Sequence, residues 1–283
     1  MAKPGGPLGP TSHDVVDQVR RTLGTTRVGH LGTLDPFAAG LLVILVGRAT
    51  RLASCAAPWT KAYEGVILLG TTTTTDDATG APIGGSEAWR ALDRATVTQA
   101  LARFRGGYAQ RPPAFSAVKV AGERAYRRAR RGEAVALAPR RVEVAELELE
   151  ELDLPAVRFR ATVSSGTYLR SLARDVGEAL GCGGHLAGLT RTRVGPFDLA
   201  EAVAPDQVTP DTLRDAATLV ADLARRDLDE AERAAVLHGR PVPAGPALTG
   251  GDGKVALFAD GTLVAVAEPV AGMLKPRVVV ADE

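Results

Sequence analysis

Apolar residues recur along the chain in two rhythms. Val15, Val16, Val19 and Leu23 follow Thr11-Ser12-His13-Asp14 at helical spacing and end at Gly24, which predicts a capped amphipathic helix with a glycine stop. Leu169, Leu172, Ala173, Val176 and Leu180 keep the same period until Gly181, predicting a second helix. Thr96 with Gln99 reads as a capping box for a third, carrying Val97, Leu101 and Phe104. The other rhythm has period two. Val157, Phe159, Ala161 and Val163 alternate with polar neighbours, and residues 63–69 read as a further strand. Residues 71–85 are polar and rich in turn formers, so a loop is expected there. Strands and helices mix without regular βαβ alternation, which predicts an α+β class: a mixed β-sheet flanked by helices.

Toward the end of the chain the pattern changes. Residues 205–210 read as loop and 213–228 as a helix with charged faces. Residues 240–253 are dense in Gly and Pro, and short apolar segments follow at 255–258, 263–266 and 278–280. Short strands so closely spaced predict a small β-barrel appendage. The expected division is a large domain over residues 1–224 and a small one over 225–283.

Composition sharpens this picture. With 283 residues, 45% of them hydrophobic, the chain can bury a sizeable core. Cys55 and Cys182 are too few for a disulfide framework and neither has a partner at metal spacing, so a reducing cytoplasm is expected. The apolar run at 41–46 is far shorter than a membrane span, and residues 1–11 lack the apolar centre of a signal peptide, so neither membrane insertion nor export is expected. The net charge of +1 hides a sharp division: residues 103–141 hold eleven Arg or Lys against two acids, Glu123 and Glu133. Glu143, Glu146, Glu148, Glu150, Glu151 and Asp153 then follow with no base among them. A basic block that includes Tyr108 and Tyr126 suits contact with RNA phosphates, although a solvated arginine-rich helix face has the same composition.

Candidate chemistry centres on Asp35. Gly29, Gly32 and Gly40 surround it and Pro36 follows it, in the stretch Gly29-His30-Leu31-Gly32-Thr33-Leu34-Asp35-Pro36-Phe37-Ala38-Ala39-Gly40. Glycines allow close backbone approaches, and an acid before proline predicts a helix N-cap. An ordinary cap would read the same way. The chain contains no His-Glu-x-x-His, no Cys-x-x-Cys and no Walker pattern, so neither a metal nor a cofactor is expected.

The Asp35 stretch resembles the catalytic motif of the tRNA pseudouridine synthase B (TruB) family. Three further blocks resemble the family in the same order. They are Lys61-Ala62-Tyr63 with Thr75-Asp76-Asp77-Ala78-Thr79-Gly80, then Gln110-Arg111-Pro112-Pro113-Ala114-Phe115-Ser116-Ala117-Val118-Lys119, then Ser165-Gly166-Thr167-Tyr168-Leu169-Arg170 with Gly181-Cys182-Gly183-Gly184-His185-Leu186 and on to Arg191. The resemblance implies a pseudouridine-synthase-like mixed sheet with a PUA-like RNA-binding tail. It implies isomerisation of uridine-55 in the T loop of tRNA, on a flipped-out nucleotide and without metal or cofactor. Asp35 would be the catalytic carboxylate and Arg170 its ion-pair partner. Tyr63 would stack on the base and act as general base. Lys61, Tyr168 and Leu189 would line the substrate, and His30 would hold the extruded nucleotide. Lys119, Arg127, Arg128 and Arg131 are the expected RNA-backbone contacts. The implied partner is the tRNA T arm, with no membrane, no obligate protein partner and a monomeric state.

Two other readings use the same residues. A T-arm-binding RNA chaperone would need the basic block and the tail but no chemistry, and could coexist with the enzyme. A glycoside hydrolase could pair Asp35 with Asp76 or Asp77, since it too cleaves a bond at the sugar. The sequence also departs from the family pattern. Lys3-Pro4-Gly5-Gly6 is separated from Thr11-Ser12, so Lys3 receives no role, Leu31 stands where threonine is common, and Phe115 where tyrosine is frequent.

Overall fold

The period-two segments sit at the middle of a mixed sheet. A computed structural model describes residues 1–6, 9–116, 118–120, 122–133, 137–245 and 253–281. Strands Lys61–Leu69 and Ala156–Val163 pair antiparallel along their length, from Lys61 opposite Val163 to Leu68 opposite Ala156. Across the sheet the order is Ala2–Lys3, Ala39–Leu41, Gly184–Val194, Lys61–Leu69, Ala156–Val163, Arg140–Asp153 and Gly106–Gln110, with Phe197–Asp198 hairpinned onto Gly184–Val194. Ala39–Leu41 runs parallel to Gly184–Val194, and the other pairings are antiparallel. Ile67, Leu69, Leu147, Val157, Phe159 and Leu186 are buried along it, as inward positions of alternating strands should be. These strands belong to a unit comprising residues 1–15, 33–42 and 58–204.

Helices Ser12–Leu23 and Leu169–Ala179 form where the apolar spacing predicts them. Thr11 Oγ1 accepts from the Asp14 backbone N–H while the Thr11 N–H donates to Asp14 Oδ2 at 2.8 Å, a reciprocal cap. Other expectations are corrected. The helix expected behind Thr96 is Arg94–Ala102, capped three residues earlier, where Asp93 Oδ1 accepts from the Thr96 N–H at 2.8 Å. Asp35 caps no helix: the Ala38 N–H donates to the Asp35 carbonyl at 3.1 Å, closing a turn into strand Ala39–Leu41. The β-branched residues behind it favour extended backbone.

The second unit comprises residues 16–32, 43–57 and 205–283. Strand Val28–Leu31 pairs antiparallel with Val43–Val46. The tail forms a five-stranded curled sheet in the order Ala224–Asp227, Val255–Ala259, Thr262–Val270, Met273–Val279 and Val242–Pro243. Leu257, Val264, Ala265 and Leu274 fill its core together with Val236 of helix Glu230–Leu237. Residues 213–228 are not one helix. Asp215 caps a short turn, Ala216–Val220, by accepting from the Ala217 N–H, and Ala224–Asp227 then becomes a strand parallel to Val255–Ala259.

Candidate active site

Two of the residues singled out from the sequence meet directly. Arg170, in the first turn of Leu169–Ala179, donates from Nη2 to Asp35 Oδ1 at 3.1 Å, and its Nε stands 2.9 Å from Oδ2. The second contact is an ion pair without hydrogen-bond alignment, and Nε finds no other acceptor among the described residues. The same guanidinium donates to the carbonyls of Thr75 at 3.1 Å and Phe115 at 2.9 Å, and Nη1 lies 3.5 Å from Asp77 Oδ2. With Arg170 only 6% exposed, its charge is balanced by protein and not by water. Asp77 is itself buried, its Oδ1 accepting from Thr75 Oγ1 at 2.7 Å and from the Thr79 N–H at 2.9 Å.

Asp35 is held by its partner yet reachable, with 35% of its side chain exposed. Burial pushes its carboxyl above the ordinary range, the Arg170 guanidinium pulls it back, and the Asp77 charge pushes it further up. The net direction is upward: the Arg170 charge lowers the pKa but is outweighed by lost hydration. Lys3 also bears on this acid. Its ammonium is buried and donates to the carbonyls of Pro4, Pro36 and Ala38 at 3.1, 3.0 and 2.6 Å, which braces the turn after Asp35. Burial lowers the Lys3 pKa, the Asp35 charge raises it, and Arg191 lowers it.

The strand register groups other predicted residues. Tyr63 lies opposite Arg191 on one side and Ala161 on the other, and Leu189 lies opposite Gly65. Paired positions and positions two apart share a face, so Lys61, Tyr63, Leu189 and Arg191 stand together. Tyr63 is buried and Leu189 half-buried. Lys61 Nζ donates to the Trp59 carbonyl at 2.7 Å, and burial, reinforced by the Arg191 charge, brings its pKa down to about 8. Arg191 Nε donates to the Leu41 carbonyl at 2.8 Å.

Tyr168 stands at the N-cap of Leu169–Ala179 without a side-chain cap, and its peptide is gripped by Gln110. Gln110 Oε1 accepts from the Tyr168 N–H at 2.8 Å and Nε2 donates to the Tyr168 carbonyl at 3.1 Å. The Tyr168 ring packs on Val118, Ala125 and Leu137. His30 is on strand Val28–Leu31 of the second unit, opposite Ile44.

In the basic segment, Arg128 Nε donates to Glu133 Oε2 at 2.7 Å. Arg131 donates to Glu123 at 2.7 and 2.9 Å and to Glu133 at 2.7 Å. Arg127 Nε donates to Tyr126 Oη at 3.4 Å. The Lys119 side chain lies outside the described residues. Sequence reasoning gave no role to Gln110, Lys3 or Arg191, and weighed Asp77 only as a hydrolase partner of Asp35. Asp77, Gln110 and Arg191 stand inside the family-like blocks, so their signal was present. Lys3 shows its part only in the fold, which buries its ammonium among three carbonyls. Among the described residues no group of three or more His, Cys, Asp or Glu could hold a metal, and no helix is long and apolar enough to cross a membrane.

A partly exposed, Arg-braced aspartate can stabilise charge on a substrate and exchange a proton. Comparison with known proteins decides among the reactions this allows. Residues 20–169 match the model of the TruB family pseudouridylate synthase N-terminal domain, and residues 170–234 match the tRNA pseudouridylate synthase B C-terminal domain. The chain belongs to the TruB family. It is 46% identical over 288 residues to tRNA pseudouridine synthase B of Thermobifida fusca, covering 97% of this chain and 96% of that one. It is 45% identical over 273 residues to the same enzyme of Mycobacteroides abscessus, covering 90% of each. A solved structure of a Cbf5-Nop10-Gar1 complex superposes with a TM-score of 0.72 at 27% identity, over 99% of this chain and 82% of that chain. As a TruB-family pseudouridine synthase the protein isomerises uridine to pseudouridine in tRNA. That reaction displaces the hydrolase reading, and Asp76 and Asp77 are engaged instead with Arg174 and Arg170.

Proposed function

We propose that the chain modifies uridine-55 in the T loop of tRNA and that Asp35 is the nucleophile acting on a flipped-out nucleotide. The observation that carries this reading is the Asp35–Arg170 pair, in which an accessible carboxylate is oriented by a buried guanidinium. The reaction breaks the ribose C1′–N1 bond, turns the base, forms C1′–C5, removes the proton from C5 and returns one to N1, and the Asp35 carboxylate is released, so composition is unchanged. Arg170 fixes the carboxylate, and Tyr63 stacks on the base and takes the C5 proton. Tyr168 and Leu189 wall the base, Lys61 meets a phosphate, and His30 holds the extruded nucleotide. Extrusion costs a few kcal/mol of lost stacking, which binding to the T arm must offset. Residues 225–283 serve as a PUA-like RNA-binding module, and Lys119, Arg127, Arg128 and Arg131 contact the RNA backbone. The protein acts as a monomer in the cytoplasm.

The same surfaces support a second activity, chaperoning of tRNA folding, which needs the T-arm contacts but not the carboxylate. The experiment that tests both incubates a T-loop transcript with wild-type protein and with Asp35→Asn, then maps pseudouridine by carbodiimide labelling. Modification at the T-loop uridine by wild type alone is expected, with tRNA affinity of the variant within about tenfold, or 1.4 kcal/mol. Modification elsewhere, or turnover by the variant, overturns the assignment. Refolding of a misfolded tRNA by Asp35→Asn as fast as by wild type supports the chaperone activity, and its loss refutes it.

A further inference from the structure

One helical turn beyond Arg170, a second arginine grips the same two loops. Arg170 takes the 75–77 turn through the Thr75 carbonyl and the Asp77 carboxylate, and the 111–116 segment through the Phe115 carbonyl. Arg174 takes the same turn through Asp76, with Nη1 2.9 Å from Oδ2, and the same segment through the Arg111 carbonyl, to which Nη2 donates at 2.9 Å. Ser171 Oγ donates to that carbonyl as well, at 2.8 Å. The remaining arm is anchored on its own helix, where Nε and Nη2 donate to Asp175 Oδ1 at 3.0 and 2.8 Å. Residues four apart on a helix lie one above the other, so the two guanidiniums form a ladder on one face of Leu169–Ala179.

The Asp76 end of this ladder is held in an uncommon conformation. Its φ of 61° places a non-glycine residue in the left-handed region, while its carbonyl accepts from the Leu186 N–H at 3.0 Å. The backbone therefore turns sharply between two carboxylates, sending Asp76 to Arg174 and Asp77 to Arg170. Side-chain exposure is 23% for Arg174, 17% for Asp76 and 19% for Asp175, so the pairs are shielded from solvent more than an ordinary surface ion pair. A fork that donates in three directions is a property of arginine that lysine's point charge does not supply.

We infer that Arg174 is a positioning residue, setting through Asp76 and the Arg111 carbonyl the two loops from which Arg170 takes the contacts that aim it at Asp35. Arg174 touches neither Asp35 nor any group assigned to the substrate. It acts by fixing where the Thr75, Asp77 and Phe115 acceptors stand. This rests on the assignment of Asp35 as nucleophile. Displacement of such a framework by about 1 Å is enough to lower a rate on the order of 10²-fold.

The test uses the full-length protein with Arg174→Lys, Asp76→Asn, the double variant and Asp35→Asn. It reads the single-turnover rate at saturating tRNA, the tRNA Kd and the melting temperature. Arg174→Lys and Asp76→Asn should each slow the saturated rate by about tenfold or more. The Kd should stay within about threefold, and the double variant should be no slower than the worse single one. Normal saturated rates in the folded single variants would overturn the inference and leave Arg174 structural. A changed Kd with an unchanged rate would make it an RNA contact instead, and rate losses that multiply in the double variant would deny the coupling. Both substitutions keep side-chain volume close to native, and any variant melting near the assay temperature is read at a lower one. Activity in Asp35→Asn would sink the nucleophile assignment itself, whereas inactive Asp35→Asn beside fully active Arg174→Lys would sink only this inference.

Discussion

Gly40 runs so close to Arg191 that a β-carbon on it would overlap the Arg191 peptide. The two are partners in the parallel pairing of Ala39–Leu41 with Gly184–Val194, and Gly40 has a φ of +103°, a region that other residues avoid. This contact docks the segment carrying Asp35 onto the sheet that carries Tyr63. Gly40→Ala should therefore cost about 1–3 kcal/mol from backbone conformation alone, before the overlap is counted. The variant should melt below wild type and lose turnover at temperatures where it is still folded. Wild-type turnover with a lowered melting temperature would mean that the docking is not needed for catalysis.

Asp35 carries the opposite relation between activity and stability. Burial raises its folded pKa above the unfolded value, with Arg170 opposing, so the folded chain binds this proton more tightly than the unfolded chain does. The ionised group then detracts from stability above the unfolded pKa, and the penalty fades as pH falls through the folded pKa. Asp35→Asn should melt at the same temperature as wild type or higher at pH 7, while turnover drops on the order of 10³-fold or more. In wild type the acid limb of the rate profile should lie above the ordinary Asp value of about 3.9. A variant melting several degrees lower, or an acid limb at or below that value, would contradict the sign.

How far such a site was legible depends on how local its causes are. Val157 to Val163 and Leu169 to Val176 are inside-outside patterns, so strand and helix follow from spacing alone. Strand Arg140–Asp153 has the same alternation, with Val142, Val144 and Leu147 buried, but its glutamates on the outer face read first as a charge run. The ion pair of Asp35 with Arg170 spans 135 residues, and only the match of whole blocks pointed to it. Nothing local marks Lys3 as a buried brace or Asp77 as a second acceptor for Arg170, because both roles arise from neighbours brought in by the fold. Strand Ala224–Asp227 is likewise set by pairing with Val255–Ala259 and not by its own sequence.

Lys61 supplies a prediction near neutral pH. Its pKa is brought to about 8, chiefly by burial and further by Arg191. Because the folded pKa is below the unfolded one, folding is penalised while Lys61 is charged, and stability rises between about pH 8 and the ordinary lysine value of 10.5. Lys61→Met should lack that rise. If Lys61 meets a phosphate, raising the pH from about 7 to 9 should weaken tRNA binding in wild type by about threefold or more, while Lys61→Arg, charged throughout, stays flat. Equal pH dependence in wild type and Lys61→Arg would remove Lys61 from the phosphate contacts.

The basic segment is less free than its composition suggested. Arg128 and Arg131 share Glu133, and Arg131 also holds Glu123 through two donors, so part of the positive charge is already paired within the segment. These pairs face solvent and add little to folding. An incoming phosphate must nevertheless displace or share them, which lowers the net gain from each arginine. Glu123→Gln with Glu133→Gln should therefore tighten tRNA binding at low salt and steepen the fall of affinity with salt. Neutralising Arg127, Arg128 and Arg131 should do the reverse and reduce the logarithmic salt slope, by up to about 0.9 for each duplex phosphate that the protein no longer neutralises. Binding titrations from about 50 to 200 mM salt separate the cases. Unchanged slopes in both sets would mean that these arginines serve only one another and the two glutamates.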